Sequence, residues 1–192
     1  MASAGSPQPI GPVSNQYGTG SEIAWQQNHV GSAKVVIGVV DTGVQADHPD
    51  LAANIDVQHA KDFVRDPSDP NYNRDENGHG THVAGIIGAV ANNGIGIAGV
   101  AWKVSIIPVK MVGSDGNGGT DTATAAFNYL VGLKQQVINI VAINASWATT
   151  ENDPLLLASI KKAARAGIAI VSAADNQNLG NYILDSLSGC AE

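Results

Sequence analysis

Val35-Val36-Ile37-Gly38-Val39-Val40-Asp41-Thr42-Gly43 is the stretch that decides the fold. The run is short, rich in β-branched residues and closed by Thr-Gly, so it reads as a strand buried on both faces, as the strands of parallel sheets are. A carboxylate, Asp41, stands at its C-terminal tip. In open α/β sheets, ligands and catalytic groups gather at that edge.

Outward from this strand the pattern alternates. Residues 105–110, 137–144 and 168–172 read as further strands, and residues 122–134 as a helix with Ala123, Ala126, Phe127, Leu130 and Val131 on one face. Asp153-Pro154 opens another helix, with aspartate at the cap and proline at the first helical position, and Gly167 closes it. Strands separated by helices in this way predict an α/β domain with a parallel sheet and right-handed crossovers. No internal repeat or domain linker interrupts the pattern.

The second informative stretch is Asn77-Gly78-His79-Gly80-Thr81-His82-Val83-Ala84-Gly85. His79 stands between two glycines at the start of a small-residue, apolar segment that suits a helix packed closely inside a protein. A histidine on a first turn is held firmly and points out of the fold. Histidine supplies a base near neutral pH, and a buried carboxylate fixes its tautomer and stabilises the cation it becomes.

Together these residues resemble the subtilisin-like serine proteases, the subtilases, over roughly residues 20–180. Asp41 matches the family's catalytic aspartate, His79 its catalytic histidine, and His48-Pro49-Asp50-Leu51 the segment that follows the aspartate. The resemblance implies a subtilisin-like parallel sheet flanked by helices in three layers. It also implies peptide-bond hydrolysis, with Asp41 orienting, His79 as general base and Asn176 donating to the oxyanion. Asp175 departs from the glycine that precedes this asparagine in the family, and glycine tolerates torsions that an aspartate adopts only at a cost.

The family's order is Asp, His, Ser. Its serine lies in a Gly-Thr-Ser-Met-Ala-like motif opening a later helix, and no such motif occurs in residues 1–192. Ser186 and Ser188 follow Asn176 by only 10 and 12 residues and read as a polar tail. Cys190 has the wrong flanks for a substitute nucleophile and reads as a lone thiol.

By the same resemblance, Gly116-Asn117-Gly118 and Ala145-Ser146-Trp147 are the two segments that hold a peptide as an added strand. The alternative is a plain glycine turn and a strand end. Ala148-Thr149 stands where the family usually continues with glycine, which places a methyl group on the wall of the primary specificity pocket. Residues 91–97 resemble the family's tight calcium loop, with the Asn93 side chain, the carbonyls of Ala91, Ile95 and Ile97, and the Asp50 carboxylate as oxygen ligands. A glycine-rich turn with Asp50 as a local cap is the alternative. Gln16 is the candidate for a further ligand, and the acidic stretch 66–76 reads as a solvated loop. His82 is expected to be a structural histidine beneath the site, and His29 and His59 to be surface residues.

With 192 residues, 44% of them hydrophobic and 14% charged, the chain can bury a core as one domain. A formal net charge of −7 argues against nucleic acid as a partner, where a basic stripe is expected. Glycine or polar residues interrupt every apolar run, so no membrane span is expected. One cysteine rules out an internal disulfide framework.

Residues 1–19 read as a flexible lead and residues 20–192 as the N-terminal portion of a peptidase domain whose C-terminal part is missing. The lead has neither a basic n-region nor an apolar h-region, although the family resemblance implies secretion. The expected function is therefore a subtilisin-like serine endopeptidase domain, inactive alone for want of its serine, with a peptide or protein substrate and a missing C-terminal segment or a propeptide as partners. The alternative is a non-catalytic pseudoprotease that binds a peptide or a partner.

Overall fold

The computed structural model describes residues 18–149 and 152–174. Five parallel strands form one sheet in the order β2-β3-β1-β4-β5. They are β1 (Gly31–Asp41), β2 (Lys61–Asp62), β3 (Lys103–Lys110), β4 (Ile140–Ala145) and β5 (Ala169–Ser172). The helices are α1 (Ser21–Gln26), α2 (His79–Gly88), α3 (Thr120–Gln135) and α4 (Pro154–Arg165), with one 3-10 turn at Ala52–Asn54.

β1 is the central strand, as its continuous apolar run requires, and it pairs with β3 on one side and β4 on the other. Its successive residues serve opposite faces. Val36 and Val40 join a core with Ile107 and Val109 of β3, Phe127 and Leu130 of α3, and Leu156 and Ile160 of α4. Val39 joins a second core with Val104 and Ile106 of β3 and Ala84 of α2. Helices thus cover both faces, giving three layers. Each fully buried Val, Leu, Ile or Phe contributes about 1.5–3 kcal/mol relative to exposure.

The five residues expected on the buried face of α3 are all buried. Asp153 caps α4, accepting from the backbone N–H groups of Leu155 at 2.7 Å and Leu156 at 3.3 Å, with Pro154 next in line. The expected third strand begins later than its apolar pattern suggests. Val137 sits at φ 74° in the turn after α3 and is 91% exposed, so β4 starts only at Ile140. The described residues contain no helix long and apolar enough to cross a membrane.

Candidate active site

Asp41 ends β1 at the carboxyl edge of the sheet and is 1% exposed. Its Oδ1 accepts the backbone N–H of Thr42 at 2.7 Å and pairs with Nδ1 of His79, also at 2.7 Å. Its Oδ2 is buried with no hydrogen-bond partner among the described residues. An ionised carboxylate only accepts, so Nδ1 of His79 carries the proton and Nε2 keeps its lone pair. The His79 side chain is 48% exposed. This is the tautomer and orientation a general base needs.

The backbone brings α2 to the strand end at unusually short range. A Cβ at Gly80 would lie 2.1 Å from the carbonyl oxygen of Gly43 and 3.1 Å from Cβ of Asp41. Only glycine lets the first turn seat there. The N–H groups of that turn have no intrahelical partners and are satisfied from outside. His79 N–H donates to Oδ1 of Asn77 at 3.3 Å, Gly80 N–H to Oγ1 of Thr42 at 2.9 Å, and Thr81 N–H to Oδ2 of Asp75 at 2.9 Å. Burial pushes the Asp75 carboxyl up, but hydrogen bonds from the Thr81 hydroxyl, the Gly78 and Thr81 N–H groups and the Thr42 hydroxyl together hold it below the ordinary aspartate value.

Of the expected peptide-holding residues, Gly116, Asn117, Gly118 and Trp147 line one cavity of about 180 Å³, with Met111, Ala148 and Thr149 also in its wall. Gly113 N–H donates to the Asn117 carbonyl at 2.8 Å, folding residues 113–117 into a tight turn, and Val112 bridges Gly118 in antiparallel fashion. Asn77 Nδ2 donates to the Ser114 carbonyl at 3.1 Å, tying this turn to the start of α2. Trp147 is fixed by its indole N–H, which donates to the Val40 carbonyl at 2.9 Å. Ser146 accepts from Asn144 Nδ2 at 2.9 Å and is not among the cavity's lining residues.

Asp50 is 2% exposed. Its Oδ1 accepts Nδ2 of Asn93 at 2.7 Å and its Oδ2 accepts the Ile97 N–H at 2.9 Å. Gly96, at φ 56°, lets the loop close over the carboxylate, since a Cβ there would meet Asp50 Oδ2 at 2.0 Å. Both residues expected to give side-chain ligands are thus together. The described residues hold no group of three or more His, Cys, Asp or Glu side chains suited to a metal. The groups that meet the Asp50 carboxylate are N–H donors, Nδ2 of Asn93 and the Ile97 amide, while Oδ1 of Asn93 accepts the Ile95 N–H at 3.2 Å, so both carboxylate oxygens are engaged within the loop.

Asn176 and Asp175 lie outside the described residues, as do Gln16, Ser186, Ser188 and Cys190. His82 is exposed, not beneath the site, because it falls on the outer side of α2. His59 is half-buried and pairs with Asp56 at 2.7 Å. The residues that sequence reasoning missed are Thr42, read only as the end of a strand, and Asp75, read as part of a solvated loop. An acid three residues before the glycine that opens a helix is the available signal, because carboxylates favour helix N-termini.

The pattern that defines the subtilase family matches residues 32–189. The chain is 39% identical over 153 residues to thermitase of Thermoactinomyces vulgaris, covering 80% of this chain and 50% of that protein. It is 36% identical over 169 residues to an intracellular serine protease of Paenibacillus polymyxa, covering 86% and 49%. The solved structure of S41 psychrophilic protease matches with a TM-score of 0.70 at 33% identity, over 78% of this chain and 48% of that one. The chain spans about half the length of the curated relatives it matches. With a family match across most of its length and an Asp–His pair at the carboxyl edge of a parallel sheet, the chain belongs to the subtilase family.

Proposed function

We propose that Asp41 and His79 are the acid–base pair of a serine endopeptidase, and that the serine itself comes from outside these 192 residues. The observation that carries this reading is the 2.7 Å contact between His79 Nδ1 and the buried Asp41 carboxylate, with about half of the His79 side chain exposed. In the reaction, His79 Nε2 takes the proton of a serine hydroxyl as its oxygen attacks the peptide carbonyl. Asp41 stabilises the imidazolium, and His79 then gives the proton to the leaving amine. Asn176, by family resemblance, donates to the oxyanion. The peptide lies as an added strand between residues 116–118 and residues 145–147, a reading supported by Gly116, Asn117, Gly118 and Trp147 lining one cavity.

Calcium is the proposed structural ion of the loop 91–97, held by Asp50, Asn93 and the carbonyls of Ala91, Ile95 and Ile97. When bound it would neutralise the buried carboxylate and pin the loop. Asp50 contributes the charge, and Gly96 gives the room for the loop to close.

A second reading is a non-catalytic module that binds a peptide or partner. Peptide hydrolysis by protein expressed from the complete reading frame separates the two. Cleavage lost in His79→Ala supports the peptidase. Peptide bound but never cleaved overturns it in favour of binding, and cleavage indifferent to His79→Ala overturns the role of His79 as the base.

A further inference from the structure

We propose that Asp75, acting through Thr42, is a positioning residue that sets the geometry of the Asp41–His79 pair. The inference rests on reading that pair as the acid–base couple of the site. Its two members sit on different elements, the end of β1 and the first turn of α2. Their contact holds only if the strand end and the helix start are locked to each other in both advance and roll.

Thr42 is the joint between them, and every polar group it has is engaged. Its N–H donates to the same Asp41 oxygen that His79 engages, at 2.7 Å. Its carbonyl accepts the ammonium of Lys110, a lysine only 1% exposed. Its hydroxyl donates to Asp75 Oδ1 at 2.9 Å and accepts the Gly80 N–H at 2.9 Å. A carboxylate only accepts, so Asp75 dictates which way the Thr42 proton points and turns the hydroxyl's lone pairs toward the helix.

Asp75 divides its two oxygens between the elements that must be joined. Oδ1 takes the Thr42 hydroxyl together with the Gly78 N–H at 2.8 Å, and Oδ2 takes the Thr81 N–H at 2.9 Å and the Thr81 hydroxyl at 2.6 Å. Thr81 Oγ1 in turn accepts the Gln45 N–H at 2.9 Å, which ties the loop after β1 to the same helix. The result is a closed ring from Asp41 through Thr42 and Asp75 to α2 and back through His79. Hydrogen bonds from neutral groups to a carboxylate are stronger than neutral pairs, so Asp75, like Asp41, is a stiff member of that ring. A plain helix cap would need only the contacts to Gly78 and Thr81. The contact to Thr42 reaches across 33 positions to the residue whose amide holds Asp41.

The test is nuclear magnetic resonance of the 192-residue chain labelled with ¹⁵N-histidine, comparing wild type with Asp75→Asn, Thr42→Val and Thr42→Ser. Wild type should show His79 as a single Nδ1-protonated tautomer with a far-downfield, exchange-protected bridging proton. Thr42→Ser, which keeps the hydroxyl, should retain that signal. Asp75→Asn and Thr42→Val should lose it and shift the His79 nitrogens toward a mixture of tautomers, with His29, His48, His59 and His82 unchanged as internal reporters of the fold. If Asp75→Asn fails to fold, the near-isosteric Thr42→Val decides. A folded Asp75→Asn or Thr42→Val with the His79 signal intact overturns the positioning role. A wild type without the signal overturns the reading of the Asp41–His79 pair itself, which is a separate result.

Discussion

Nδ1 of His79 and Oδ1 of Asp41 stand 2.7 Å apart, although the residues are 38 positions apart in the chain. The carboxylate is buried, whereas about half of the imidazole is open. On the proposed reading that asymmetry directs the base, because an ionised Asp41 places the ring proton on the inner nitrogen and leaves the lone pair on the outer one.

Asp41→Asn should reverse this order with little change to the fold. An amide directed at Nδ1 through its NH₂ group makes that nitrogen an acceptor and moves the ring proton to Nε2. In protein from the complete reading frame, kcat should fall by about 10⁴, the loss seen for the same change in serine proteases of another fold. A loss below tenfold would show that the tautomer is not held by Asp41.

Gly80→Ala tests the close seating of α2. The added methyl carbon would lie 2.1 Å from the Gly43 carbonyl oxygen, a backbone atom that cannot swing aside. Overpacking of this kind costs about 1–3 kcal/mol. Chemical denaturation should show that loss, and an unchanged denaturation midpoint would mean that the first turn is free to shift.

Asp75 makes stability depend on pH in a stated direction. Its folded-state pKa lies below the unfolded value, so its contribution is fully present above the unfolded pKa, about 3.9, and is lost as pH falls through the folded one. The stability gap between wild type and Asp75→Asn should therefore be wide at pH 6 and narrow as pH drops below 4. A gap independent of pH would contradict the hydrogen-bonded carboxylate.

Calcium should raise the melting midpoint. At one hundred times its Kd, an ion bound only to the folded state contributes about 2.7 kcal/mol, and each kcal/mol is roughly 2–4 °C for a chain of this size. Asp50→Asn should remove most of the rise. A midpoint indifferent to calcium and to chelator would leave Asp50, Asn93 and Ile97 as a local hydrogen-bonded turn.

Much of this molecule was legible in its residues, and the exceptions have physical causes. The apolar run before Asp41 is β1, the middle strand of the sheet, and the Asp153-Pro154 pair opens α4 as its capping chemistry dictates. β2 has only two residues, Lys61 and Asp62, and exists because the edge of β3 offers it partners, so no periodicity announces it. α1 has no buried residue and therefore no apolar stripe to read. Val137 is β-branched and apolar, yet it takes a left-handed turn, which local preference argues against. At the site, Asp41 and His79 carry motifs, whereas the contact of Asp75 with Thr42 spans 33 positions and leaves no local trace. The acidic residues around it pointed to solvent, and only the folded geometry shows one of them turned inward.

The most direct test of the central claim is labelling with a fluorophosphonate probe, with the adduct located by mass spectrometry. Protein from the complete reading frame should carry one adduct, on a serine outside residues 1–192, and His79→Ala should abolish it. The 192-residue chain alone should carry none. A stoichiometric adduct on a serine within these residues, lost in His79→Ala, would contradict the claim that the nucleophile lies elsewhere, and no adduct in either protein would contradict the serine peptidase reading.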